Sequence, residues 1–228
     1  MTTPPAAPLP TLAPNASFLR RWTLAVKSLL ILADDPPNPH YGPLLNACLD
    51  GGTYAKLAAR WRTSERGRAL LEARPTLQGR ELDLEALRAM PPGTLGRAFM
   101  QYFDDNGIGP FETTFPIASD VDYLSKRYRE THDLLHVITG YGTDELGEME
   151  LQAFVLGNLG LKQSQLILSF GFLRQLARDG VRATPTWIAK IRAAHRRGAQ
   201  SRELLGVPYE TLWLEPVSSL STLLCAAA

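Results

Sequence analysis

Apolar residues recur along this chain at intervals of three and four, and no segment alternates convincingly with a period of two, so the pattern predicts helices and at most a few short strands. The helices fall at about Phe18–Ala33, Gly42–Gly51, Thr53–Arg62, Ser64–Ala73, Asp83–Ala89, Thr94–Asn106, Asp120–Gly140, Asp144–Leu156, Leu161–Asp179, Thr186–Arg197 and Tyr209–Cys225. Helix-breaking residues agree with these limits. Pro36-Pro37 and Pro39 stop the first helix, Pro91-Pro92-Gly93 precedes the sixth, and Thr184-Pro185 offers a cap followed by proline at a helix start. The fold class that follows is all-α: a single-domain multi-helix bundle over residues 18–228, behind a disordered Pro/Ala-rich tail of residues 1–17. No internal repeat and no long linker divides it.

Composition narrows the function classes. With 228 residues, 45% of them apolar, the chain can bury a sizeable core. Lys and Arg number 24 against 23 Asp and Glu, and the basic residues are dispersed, which argues against a nucleic-acid partner. Cys48 and Cys225 fit no Cys-x-x-Cys spacing, so neither a disulfide framework nor a thiolate metal site organises the fold; the chain reads as reduced and cytoplasmic. The tail Met1–Ser17 has no basic residue and so lacks the character of a transit or secretory peptide. Trp22–Ala33 is interrupted by Lys27 and is too short to span a bilayer. Leu151–Leu173 carries one charge, Lys162, but is broken by Gln152, Asn158, Gln163, Ser164 and Gln165. It suits the lining of an apolar cavity, with Phe154, Phe170 and Phe172, or a surface resting on a membrane. His40 and His195 read as surface histidines, and Arg192, Arg196, Arg197 and Arg202 as a solvated helix end.

The chemistry concentrates between Asp120 and Glu148. On a helix, His132 and His136 stand one above the other, and Asp133 lies about 60° from His136, so one ion could touch all three. Ser125 and Arg129 share that stripe, while Tyr123, Leu124, Leu134, Leu135 and Ile138 lie roughly opposite and form a packing face. Gly140-Tyr141-Gly142 stops the helix, Thr143 or Asp144 caps an antiparallel successor, and Glu148 then approaches the histidines from the side. Two imidazoles with carboxylates suit zinc, iron, manganese or cobalt better than calcium. A solvated helix face with an Arg129–Asp133 ion pair accounts for the same residues, and so does a hydrolase in which Asp133 is the general base.

The run Arg127-Tyr128-Arg129-Glu130-Thr131-His132-Asp133-Leu134-Leu135-His136, with Glu148 after eleven further residues, closely resembles the His-Asp-x-x-His-x11-Glu motif of the ubiquinone (coenzyme Q) biosynthesis protein Coq-four family. Pro91-Pro92-Gly93-Thr94-Leu95-Gly96 resembles that family's Pro-x-Gly-Thr-Leu-Gly segment, and Gly206-Val207-Pro208-Tyr209-Glu210 its closing helix. The resemblance implies a bacterial homologue whose divalent metal is held by His132, Asp133, His136 and Glu148, with zinc favoured over iron, manganese, cobalt or magnesium. It also implies an apolar cavity for a polyprenylated aromatic lipid, a homodimer, partnership with other quinone-biosynthesis enzymes, and peripheral contact with the inner face of the membrane. The activity implied is the metal-dependent oxidative C1 decarboxylation of a polyprenylated hydroxybenzoate, and the alternative role is a lipid-binding scaffold that presents the intermediate to partner enzymes; Arg129, on the same helix face as the histidines, is the candidate to pair with the carboxylate.

Overall fold

The helical periodicity becomes, in the computed structural model, ten α-helices among the described residues, which are 12–13, 16–34, 41–78, 82–109 and 117–226. They are α1 Phe18–Asp34, α2 Tyr41–Leu49, α3 Gly51–Arg62, α4 Glu65–Ala73, α5 Leu84–Arg88, α6 Leu95–Asn106, α7 Asp120–Thr139, α8 Glu145–Leu159, α9 Lys162–Gln200 and α10 Val217–Leu224, with a 3-10 turn at Tyr209–Thr211. No strand occurs among the described residues beyond an isolated bridge between Thr94 and Pro216, so the fold is all-α. The reading of the tail lies largely outside the described residues, and that of His40 entirely so.

The longest element, α9, reverses on itself. Gly180 takes φ 71° and ψ −178°, and the rings of Phe172 and Trp187 meet at 5.7 Å, a separation that fifteen residues of straight helix would forbid. Two arms, 162–179 and 181–200, therefore form a hairpin. The first runs antiparallel to α8, with Ser164 donating to Gln152 and Arg174 near Glu145. The second returns along α8 in backbone contact, because a side chain at Gly157 would overlap the His195 carbonyl and one at Gly198 the Phe154 carbonyl. The second arm starts earlier than Thr186, since proline is tolerated near a helix start.

Helix α7 packs against α2, α3, α6, α8 and α10. Ser119 and Asp122 close its N-terminus as a capping box, and Gly140, at φ 78°, ends it. Its inner face buries Tyr123, Leu124, Tyr128, Leu134, Leu135 and Ile138 in the main core. Arg127 is also fully buried, donating to the carbonyls of Leu205 at 2.8 Å and Val207 at 2.6 Å and pairing with Glu210 at 2.7 Å. One guanidinium thus ties the loop before the 3-10 turn to α7. A smaller core joins α1 and α2 to the first arm of α9 through Ala25, Leu45, Leu49, Leu166 and Ile167. Asp50 reinforces that junction by accepting the N–H groups of Lys162 at 2.6 Å and Gln163 at 3.0 Å, a cap supplied from between α2 and α3.

Two expectations change. Tyr209–Cys225 is not one helix: Pro216 disfavours helical geometry before it, and the freed carbonyls of Trp213 and Glu215 accept the N–H groups of Gly96 and Leu95 at 2.9 and 2.8 Å. The start of α6 is thereby registered on the C-terminal segment. Phe154, expected to line a cavity, is fully buried in the core. An open groove of about 370 Å³ lies along the second arm, between Val181 and Arg192.

Two stability changes are expected. Gly180→Ala forces a side chain into a conformation essentially confined to glycine and should cost about 1–3 kcal/mol in urea unfolding; an unchanged midpoint would contradict a hairpin turn at this residue. Arg127→Met strands Glu210 and two carbonyls and should cost about 3–5 kcal/mol by the same measurement.

Candidate metal centre

Because α7 ends at Gly140, the chain turns through 141–144 and Asp144 caps α8 by accepting the N–H of Gly147 at 2.7 Å. That reversal carries Glu148, one turn into α8, back to the histidine stripe of α7. Its Oε1 lies 3.2 Å from His136 Nε2 and its Oε2 3.9 Å from His132 Nε2. The two imidazole rings meet edge to face, with centroids 5.1 Å apart. His132, His136 and Glu148 each offer one ligand atom, and these atoms all lie within 4.8 Å of one another.

The outer nitrogens explain which ring atoms are offered. His136 Nδ1 lies 3.0 Å from the Tyr141 carbonyl, and His132 Nδ1 3.2 Å from Asp133 Oδ1. A ring that donates its Nδ1–H to such an oxygen presents a bare Nε2 to a cation, the arrangement that fixes tautomer and ring direction in histidine metal sites. His136 is only 2% exposed, and its Nε2 is buried without a well-formed hydrogen bond. A buried imidazole nitrogen that faces a carboxylate without a well-formed hydrogen bond, beside a second imidazole, belongs to a donor set that fits zinc, iron, manganese or cobalt. Of the four residues expected to share an ion, three converge, while the Asp133 carboxylate is turned onto His132 and lies outside the convergent group. His195 sits on the second arm of α9 and is not part of it.

Charges in the site act on one another. Burial disfavours the imidazolium of His136, but the Glu148 carboxylate, the Tyr141 carbonyl and Asp133 outweigh it and lift its pKa above the usual value. Burial likewise opposes ionisation of Glu148, yet the two histidines hold its pKa below the ordinary carboxylate range. Asp133 is also held low against burial, by His132 and then by Arg129 and His136. Arg129, partly buried, therefore bears on the site electrostatically.

Two aromatic rings complete the walls. Tyr102 of α6 stacks on His136 with centroids 5.5 Å apart and planes 24° apart, and Tyr128 meets His132 edge-on at 6.3 Å. Burial, with the Asp133 and Glu148 carboxylates, raises the Tyr102 pKa and keeps its phenol protonated. Sequence reasoning missed Tyr102, because nothing distinguishes it from the core positions Phe99, Met100 and Phe103 of the same helix.

A family model described as Coenzyme Q (ubiquinone) biosynthesis protein Coq4 matches residues 14–225. The mitochondrial ubiquinone biosynthesis protein COQ4 homolog of Danio rerio is 30% identical over 211 residues, covering 90% of this chain and 75% of the relative. That of Xenopus laevis is 32% identical over 213 residues, covering 87% and 72%. A crystal structure of a provisionally assigned ubiquinone biosynthesis protein from Nostoc punctiforme PCC 73102 superposes with a TM-score of 0.72 at 25% identity, covering 88% of this chain and 94% of that one.

A pH dependence follows for protein stripped of metal by a chelator. The raised pKa of His136 supplies stability that is fully present below about 6.5 and is lost as pH rises through the folded value. The lowered pKa of Glu148 supplies stability present above about 4.5 and lost on acidification. The Tm should fall as pH rises from about 6.5 to 8.5, and Glu148→Gln should flatten that fall. The same slope in both proteins would disprove the pairing.

Proposed function

Because the chain belongs to the Coq4 family of coenzyme Q (ubiquinone) biosynthesis proteins, we propose that it binds a divalent metal and a polyprenylated aromatic precursor and promotes oxidative removal of that precursor's C1 carboxylate as carbon dioxide, with dioxygen as the oxidant. The observation that carries this reading is the convergence of His132 Nε2, His136 Nε2 and Glu148, with the buried His136 Nε2 lacking a well-formed hydrogen bond. Zinc is the favoured ion on donor chemistry; iron, manganese, cobalt and magnesium are the alternatives.

When bound, the cation supplies Lewis acidity that polarises a ring carboxylate and its neighbouring phenolic oxygen. The chain's own groups do the rest. Asp133 and the Tyr141 carbonyl keep both Nδ1 protons on the outer side, so each imidazole presents Nε2 inward. Arg129, whose charge acts on Asp133 and Tyr102, pairs with the substrate carboxylate and orients it. Tyr102 and Tyr128 exclude water from the ring faces. The hydrolytic alternative has less support, since Asp133 faces His132 Nδ1 rather than the inner Nε2 side, where a general base would act.

The scaffold reading has its own support. Phe18, Leu19, Trp22, Val26 and Leu30 stand exposed on α1, and a contiguous apolar patch of this kind marks contact with a membrane or another protein. Peripheral membrane contact, other quinone-biosynthesis enzymes and a second copy of the chain are the partners this reading implies. No helix among the described residues is long and apolar enough to cross a membrane.

The test is elemental analysis of natively purified protein beside His132→Ala/His136→Ala, with circular dichroism to establish retained helix. Near-stoichiometric metal, lost in the folded double variant, is expected. Turnover of a prenylated hydroxybenzoate with metal and oxygen then separates enzyme from scaffold, and Arg129→Ala should lower turnover or substrate affinity. Equal metal content in both proteins, or none after supplementation, would sink the metal reading.

A further inference from the structure

His136 is held from several directions. Its Nδ1 faces the Tyr141 carbonyl, its edge meets the His132 ring, and Glu148 stands before its Nε2. All of these belong to α7, α8 or the turn between them. Tyr102 is different, because it arrives from α6 and covers a face of the imidazole, nearly parallel to it. A ring packed this way leaves the imidazole little freedom to rotate about its Cβ–Cγ bond, since rotation would drive its edge into the phenol ring.

The height of α6 is in turn fixed at its start. Thr94 caps it, the N–H groups of Leu95 and Gly96 donate to Glu215 and Trp213, and any side chain at Gly96 would strike Met90 and Leu87. One turn on, Phe99 stacks on Trp213 with centroids 5.8 Å apart. The Pro91–Gly96 segment, conspicuous in the sequence but without a role in the site, thus sets where Tyr102 meets His136.

We propose that Tyr102 is a positioning residue of the metal centre, its ring face rather than its hydroxyl fixing the plane in which His136 presents Nε2. The effect on metal affinity rests on the metal reading above, whereas the effect on the His136 ring does not.

The test compares wild type, Tyr102→Phe and Tyr102→Leu in two measurements. In cobalt(II) titration followed by visible absorption, Tyr102→Phe should match wild type within about twofold, and Tyr102→Leu should bind about tenfold more weakly with a shifted band. In metal-free protein carrying 13C-labelled histidine, ring-carbon relaxation should show a more mobile His136 ring in Tyr102→Leu and an unchanged one in Tyr102→Phe. Leu45→Ala, in the smaller core away from α6, should lower stability while leaving both signals unchanged, which separates positioning from a general loss of stability. If Tyr102→Leu does not fold, Tyr102→Met takes its place. Wild-type signals and affinity in Tyr102→Leu would overturn the proposal, as would equal impairment in Tyr102→Phe, which would assign the effect to the hydroxyl. Absence of cobalt binding in every protein would overturn the metal reading, and the histidine spectra would still decide this one.

Discussion

The reversal between α7 and α8 is the constraint on which the site depends. Two histidines one turn apart on a single helix present parallel donors and little else; the third donor must come from a second element returning at the right height. Gly140 in the left-handed region stops α7, Asp144 restarts the chain as α8, and the few residues between them bring Glu148 beside both rings. The same turn supplies the Tyr141 carbonyl that faces His136 Nδ1. Local backbone conformation, the choice of tautomer and the donor set are therefore consequences of one short segment.

That segment is secured from outside. Arg197, on the second arm of α9, donates to the Thr139 carbonyl at 2.8 Å and to Ala226 at 3.0 Å, and its guanidinium lies over the rings of Tyr141 and Phe154. At the other end of α7, Arg127 holds the 205–210 stretch with hydrogen bonds to backbone carbonyls and to Glu210. Two arginines from opposite parts of the chain thus anchor the helix that carries the histidines, each using backbone oxygens that helices and loops leave over.

Much of this was legible in the sequence, for definite reasons. Helical period and proline positions located the elements, and the break near Gly180 marked the two arms of α9, because these are local properties of consecutive residues. The convergence of His132 and His136 was legible because i,i+4 spacing converts directly into adjacency on a helix. What escaped depended on tertiary context. A helical wheel places Asp133 within reach of an ion but carries no rotamer, and the nearby Nδ1 of His132 takes up the carboxylate. Tyr102 acquires meaning only when α6 is laid against α7. The last predicted helix failed at Pro216, where the chain uses its carbonyls to register α6 instead of continuing a helix of its own.

Arg197 has a consequence for how inherited variation in such a chain is interpreted. It lies about fifty residues beyond Glu148, in a stretch that reads as a solvated, basic helix end, where a missense allele would ordinarily be dismissed as benign. Its cation, however, sits over the aromatic ring of the very residue whose carbonyl orients His136. A substitution at that codon therefore reaches the turn beside His136 from a separate helix.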